Sequence, residues 1–358
     1  MASLGTSSTS TDQSQITPRS KDLLFELVED IKNKGLVLFL GSGINGSAVP
    51  QWNALLTMLL DKSLHWIEHE DRRIQKYQYK LAEWCNQNFG MSAQASIVKK
   101  LFGAERYRLE IQNILYSNTQ NVEHDVEEFC RKKRSRKKLA EYNLLYQVAQ
   151  LCSSPHVKAV ATFNFDTLLE TALKTIGKRR PQPHYGDVDS TRYPQKELND
   201  IPIYHVHGRL PGPSFYKNLD DSIVMSYDEY FDKNADPLSW ETATSIHLLR
   251  HYCTLWIGSS LKDWNMLRLL HGALSGRKNI RSYCIQCLDD IQVPKKLEIS
   301  DTDKNEFQKA AMRIQASLLE TVSVRLILAG PRYADIPQTI KQHISMPLKK
   351  STQGGENK

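Results

Sequence analysis

The 358-residue chain has no apolar run of the roughly eighteen residues that a membrane-crossing helix needs, which sets aside a helical membrane protein. Its Ser/Thr-rich start lacks the apolar core of a secretion signal or anchor, so residues 1–19 read as a disordered leader. Ala2 stands where N-myristoylation requires glycine. Cysteine is sparse and scattered, at Cys85, Cys130, Cys152, Cys253, Cys284 and Cys287. Only the last two form a CxxC, and no second pair completes the four ligands of a structural zinc. Buried thiols in a reducing cytoplasm, with no metal, are the expectation. Internal repeats are also absent. Nor is there a field of one charge: the net +7 comes from Arg131-Lys132-Lys133-Arg134-Ser135-Arg136-Lys137-Lys138, without which 40 basic residues balance 40 acidic ones. That run, residues 131–138, is either a solvated helix end or an electrostatic contact for nucleic acid or an acidic partner.

What the chain does have is organised around Gly35 to Asn45. Leu36 to Leu40 is too short for a globular helix and shows no polar alternation, so it reads as a strand buried on both faces. It stops at Gly41-Ser42-Gly43. A turn of small residues lets backbone N–H groups approach a pyrophosphate, aided by the positive end of the next helix. The turn lacks the third glycine of the dinucleotide fingerprint, and an ordinary strand end has the same appearance.

Around this strand, Ser20 to Lys34 predicts an amphipathic helix with Leu23, Leu24, Leu27, Val28 and Ile31 on one stripe, Ser20 as cap and Gly35 as stop. Pro50 opens another helix through Leu55, Leu56, Leu59 and Leu60. Residues 61–150 are charged, helical in pattern and poor in glycine, a helical insertion between the first two strands. Strands follow at 157–163, 201–206, 222–226 and 252–257, and near 281–286 and 322–328. Helices are expected at 167–176, about 235–250, after 260 and at 303–320, with residues 178–200 a surface loop and 347–358 a flexible polar tail. Alternating strands and helices predict a doubly wound, mostly parallel α/β sheet over residues 20–346, with ligands outside the carboxyl ends of its strands.

Four strand ends carry small or polar clusters: Gly41-Ser42-Gly43, Asn164-Phe165-Asp166, His207-Gly208 and Gly258-Ser259-Ser260. Preceded by Thr162, and with Pro50-x-Trp52 and Asp263-Trp264-Asn265 in their places, this series resembles the NAD-binding motifs of the sirtuin fold. It is most similar to the bacterial sirtuin-like NAD-hydrolases of antiphage defence, a group that includes the effectors of Thoeris and of systems paired with a HerA-type ATPase. The resemblance implies a sirtuin-like Rossmann variant that cleaves NAD to nicotinamide and ADP-ribose in abortive infection. It assigns catalysis to Asn164 and His207, with Asp166 beside them. It assigns NAD binding to Gly41, Ser42, Gly43, Asn45, Trp52, Thr162, Gly258, Ser259, Ser260, Asp263 and Asn265.

Between His207 and Gly258, where sirtuin deacetylases carry a two-pair cysteine zinc module, there is only Cys253. Gln51 and Trp52 replace the acidic and arginine residues that usually follow the first glycine motif. Both departures weigh against a protein deacylase, and neither removes what NAD cleavage requires. The chemistry suits these residue types, because nicotinamide leaves neutral and needs no strong acid. An amide can orient a ribose hydroxyl or water, and an imidazole can accept its proton. In isolation, Asn164 or Asp166 reads as a helix cap or turn residue and His207 as structural; it is their combination that reads as a site. His205, two residues earlier on the same strand, reads as a packing or supporting residue on the same side as His207. An unrestrained NAD hydrolase would kill its host, so gating by self-assembly or by a partner such as a HerA-type ATPase is expected, the insertion being its contact surface. The alternatives are a catalytically silent module that binds NAD or an ADP-ribose-like signal, a deacylase, and a nucleic-acid binder resting on residues 131–138 alone.

Overall fold

The computed structural model describes residues 18–68, 78–117, 121–132, 142–184, 199–212, 223–236, 239–275, 281–294, 297 and 299–353. In chain order these form α1 (Pro18–Lys34), β1 (Leu36–Leu40), α2 (Trp52–Glu68), α3 (Gln78–Asn88), α4 (Met91–Phe102), α5 (Ala104–Leu115), α6 (Val122–Lys132) and α7 (Asn143–Cys152). Then come β2 (Val157–Thr162), α8 (Leu168–Ile176), β3 (Arg180–His184), β4 (Asp200–His205), α9 (Tyr227–Ala235), α10 (Trp240–His251), β5 (Cys253–Ile257) and α11 (Trp264–Leu274). The chain closes with β6 (Ser282–Cys287), α12 (Asp301–Thr321), β7 (Val324–Gly330), α13 (Asp335–Thr339) and α14 (Met346–Gln353).

The seven strands form one parallel sheet in the order β3-β4-β2-β1-β5-β6-β7. This is the expected doubly wound α/β fold. β1 lies at the centre, where the strand order reverses, and all five of its residues are buried. Leu36, Leu38 and Leu40 join the core beneath α1, α2, α7 and α8, while Val37 and Phe39 join the opposite core with Trp256 and the residues of α10 and α11. A strand with a hydrophobic layer on each face needs no polar alternation. Apolar residues of the helical insertion, including Leu64, Val98, Ile111 and Val126, belong to the same continuous core as β1. The insertion therefore packs onto the sheet.

Several local expectations are corrected. The first helix begins at Pro18, and Ser20 is no cap: buried inside the helix, its hydroxyl accepts from the Leu328 N–H of β7 at 3.0 Å. β3 occupies part of the expected 178–200 loop, its prolines tolerable because it is an edge strand. Residues 223–225 are not a strand. The helix expected at about 235–250 is α10, and α9, which precedes it at 227–235, was not expected. α14 runs through Gln353 with Leu348 buried, so residues 347–353 are not a frayed tail. Of the basic run, Arg131 and Lys132 end α6 in ion pairs with Glu127 and Glu128, and residues 133–138 lie outside the described residues, as does nearly all of the leader. All six cysteines are buried and free. Among the described residues no helix is long and apolar enough to cross a membrane.

One side chain joins the entrances of β2, β3 and β4. Arg179 donates through Nη1 to the carbonyls of Cys152, Ser154 and Val157 at 3.3, 3.4 and 2.6 Å, and through Nη2 to that of Asp200 at 2.6 Å. Removing it withdraws a donor from four backbone carbonyls, of which that of Ser154 still accepts from Val157 N–H at 3.1 Å. Arg179→Ala is expected to lower stability by about 2–3 kcal/mol. Arg179→Lys, which lacks the planar fork, should lose roughly half of that, read from urea midpoints at unchanged slope.

Candidate functional site

The carboxyl ends of β1 and β5 meet at the reversal of strand order, where open α/β sheets bind their ligands. Gly41 N–H donates to the Ile257 carbonyl at 3.0 Å and Gly43 N–H to the Gly258 carbonyl at 2.9 Å. A Cβ on Gly41 would stand 2.5 Å from the Gly258 oxygen, and one on Gly258, whose φ is +69°, would stand 2.5 Å from the Ile44 nitrogen. These glycines let two backbones interlock. The expectation that both amides face a phosphate is thereby corrected, since both are taken up by the β5 loop. The Tyr333 hydroxyl donates to the Gly43 carbonyl and fastens the same turn from a third element.

Beside the interlock, Thr162 of β2 and His205 of β4 pair in register. Asn164 and His207 each lie two residues beyond, so neighbouring strands deliver them to the same end of the sheet. Asn164 is buried, with its N–H on Thr162 Oγ1 at 3.1 Å and its Nδ2 on the Gly41 carbonyl at 3.2 Å. Its Oδ1 is buried without a hydrogen-bond partner. Asp166 uses both oxygens: Oδ1 accepts from Leu168 N–H at 3.1 Å, capping α8, and Oδ2 accepts from Asn45 Nδ2 at 2.7 Å. Burial pushes its carboxyl from 3.8 up to about 6, helped by nearby Glu170 and restrained by the Leu168 N–H, His205 and Asn45.

His207 sits in an aromatic box, with ring centroids 4.9 Å from Phe163, 5.6 Å from Tyr230 and 6.1 Å from Trp52. Its Nδ1 is buried without a partner. Burial lowers its pKa from 6.5 to about 4, against the opposing pull of Asp263, so the imidazole is neutral at physiological pH. β4 ends at His205 and the chain turns at 206–207, so strand alternation does not reach His207. The two histidines face different surroundings, contrary to expectation. His205 is wholly buried between Glu170 and the Asn164 carbonyl.

The candidate residues fall into two small clefts. One, of about 80 Å³, is lined by His207, Asp263 and Asn265 together with Phe163, Tyr230 and Met266. The other, of about 20 Å³, is lined by Ser42, Trp52, Asn164 and Asp166. Trp52 lines the second cleft and meets the edge of His207, which lines the first. Asp263 also caps α11 by accepting from Asn265 N–H at 2.7 Å. Ser259 accepts from Leu261 N–H at 3.3 Å beside Met266. Ser260 is exposed and lines neither cleft, and Asn45 and Thr162 brace the Asn164 turn from behind. Among the described residues no group of three His, Cys, Asp or Glu side chains gathers where a metal could sit.

Sequence reasoning missed Tyr230, which lines the first cleft with Asp263, and the buried Glu170. Tyr230 had a signal: Ser226 and Glu229 form a capping box, which announces α9. The insertion also reaches the site. Tyr116 OH donates to the Leu210 carbonyl at 2.9 Å and accepts from Thr167 N–H at 3.3 Å, and Gln112 Nε2 donates to the Pro211 carbonyl at 2.7 Å.

Two outcomes follow. Gly258→Ala should cost about 2–5 kcal/mol, combining left-handed strain with overpacking, whereas Gly90→Ala should stay within about 0.5 kcal/mol, because Gly90 has open space around it. Thermal and urea unfolding check both. For His207, the folded value lies below the unfolded one, so the native state binds fewer protons between about pH 4 and 6.5. The stability that His207 contributes is whole above 6.5 and is lost as pH falls through that window. Asp166, shifted upward, works in the opposite sense below about 6. The stability advantage of wild type over His207→Gln should therefore shrink from pH 6.5 to 4, measured by urea unfolding at each pH.

In comparisons with known proteins, no curated protein matches the chain in sequence. A solved structure from work on the mechanism and regulation of Sir2 enzymes is similar at 15% identity and a TM-score of 0.38, covering 94% of this chain and 100% of that one. Residues 158–322, from β2 through α12 and including the Asn164 turn, the His207 loop and the Gly258 loop, match the family model of a SIR2-like domain.

Proposed function

We propose that this chain is an NAD glycohydrolase that splits the nicotinamide–ribose bond of NAD to give nicotinamide and ADP-ribose. The reading rests on one observation. Asn164 Oδ1 and His207 Nδ1, two buried polar atoms without partners, stand past paired positions of adjacent parallel strands, within a segment that matches a SIR2-like domain. Buried polar atoms normally find partners, so two orphans at one sheet end point to a ligand that supplies them.

The chemistry asked of these residues is modest. The C1′–N bond breaks with its electron pair going to nicotinamide, and a water attacks C1′ of the resulting oxocarbenium-like ribose. Asn164, as acceptor, orients a ribose hydroxyl or that water. Neutral His207 accepts the water's proton. Asp166, Asn45 and Thr162 hold the turn that carries Asn164. Trp52 and Phe163 form apolar walls, suited to a nicotinamide ring.

Both clefts are far below the roughly 300–1,000 Å³ of a usual ligand site. They must widen before a dinucleotide enters. This supports a second element of the proposal, that activity is gated by self-association or by a partner chain such as a HerA-type ATPase, in an antiphage effector that depletes NAD.

Nicotinamide release should appear on concentration or with the partner. Asn164→Ala should lower it about 10²–10³-fold and His207→Ala about 10²–10⁴-fold. No release under any condition, or undiminished release by Asn164→Ala, overturns the reading. NAD binding without turnover would select a silent binding module instead.

A further inference from the structure

Glu170, in the first turn of α8, takes no part in the chemistry outlined above, yet it is 2% exposed and lies behind both proposed reacting side chains. Its Oε1 accepts from His205 Nε2 at 3.0 Å and from Arg209 Nε at 3.2 Å. His205 and Arg209 stand two residues before and two residues after His207. The other nitrogen of the His205 ring, Nδ1, lies 3.3 Å from the Asn164 carbonyl oxygen. One carboxylate oxygen thus holds both flanks of the His207 loop, and through a single imidazole it reaches the backbone of Asn164.

The donor count supports this arrangement. Burial raises the pKa of Glu170, but His205 and Arg209 more than offset it and leave the carboxyl below its ordinary value. An ionised carboxylate only accepts hydrogen bonds, as does a peptide carbonyl. The His205 ring stands between these two acceptors, with Nε2 facing the carboxylate and Nδ1 facing the carbonyl. The contacts are charge-assisted and dry, which makes them stiff in direction as well as strong.

We propose that Glu170 is a positioning residue, one oxygen of which sets the spacing between Asn164 and His207. Only the kinetic consequence rests on the glycohydrolase reading. Farther out, the two segments are joined independently, by Leu210 N–H to the Phe165 carbonyl at 2.7 Å and by the Tyr116 hydroxyl. Loss of the inner clamp therefore leaves the loops attached while freeing their exact spacing.

The test is Glu170→Gln, which keeps the shape and removes the charge, with two readouts on the full chain. The first is NMR, without ligand, of the Asn164 side-chain amide and the His207 ring, each assigned by substitution. The second is steady-state hydrolysis of NAD. Both sets of resonances should move, and kcat should fall about 10–100-fold with KM within about threefold, the signature of misplaced groups rather than lost substrate binding. Unmoved resonances, or moved resonances with unchanged kcat, overturn the proposal. If the resonances move in a chain whose wild type never releases nicotinamide, the positioning role stands and the glycohydrolase reading falls. Should Glu170→Gln fail to fold, Arg209→Gln, at a guanidinium 17% exposed, removes one arm of the clamp and is judged by the same readouts.

Discussion

Everything at the functional end of this molecule depends on the contact between two backbones, Gly41 to Gly43 after β1 and Gly258 after β5. With Cβ atoms excluded on both sides, the turns close to hydrogen-bonding distance, and the Gly41 carbonyl is left facing Asn164. The position of the carboxamide is thus inherited from the glycines, which need touch no ligand to matter. The contact also changes which atoms are free. Amides that a small-residue turn offers to a phosphate are here already bonded, and the side chains of Asn164, His207, Asp263 and Asn265 are among the polar groups that line the two clefts.

A second layer sits behind that contact. The Asn164 turn and the His207 loop are tied to each other by Leu210 and Phe165, to α8 by Glu170, and to the insertion by Tyr116, Thr167 and Glu123. The helices between β1 and β2 therefore share the core of the sheet and brace the loops at its end. Forces applied to the insertion reach the candidate site through side chains that are buried or half-buried. Such a layout suits control from outside, because closely packed interiors transmit displacement rather than absorb it.

Much of this was legible in the residues. Continuous apolar runs at 36–40 and 253–257 identified strands covered on both faces, and the helix stripes 23–31 and 55–60 identified what covers them. Where reading failed, the cause was local. Edge strand β3 is written Arg-Pro-Gln-Pro-His, and prolines mask a strand whose free side needs no ladder bond. α9 was hidden because its exposed Tyr227 and Phe231 blur the apolar stripe, although its capping box was present. At the site, order along the chain brought Asn164 and His207 to neighbouring strands correctly. It could not reveal that Ser260 turns outward, that the glycine amides pair with β5, or that His205 bonds Glu170. Those depend on where a strand ends, and a shift of one residue there decides which way a side chain points.

The central position of β1 has a consequence for how the molecule is made. β1 leaves the ribosome before both of its neighbours, β2 and β5, which lie more than 100 and more than 200 residues further along. At about 5–20 residues per second, the Gly41 turn waits roughly 10–40 s for the segment it interlocks with. Until then the β1 edge that β5 will pair is open and the face carrying Val37 and Phe39 is uncovered, a state prone to misassociation. The clefts consequently cannot form before β5 and α11 have been made. A nascent fragment that stops short of β5 cannot carry whatever activity they support.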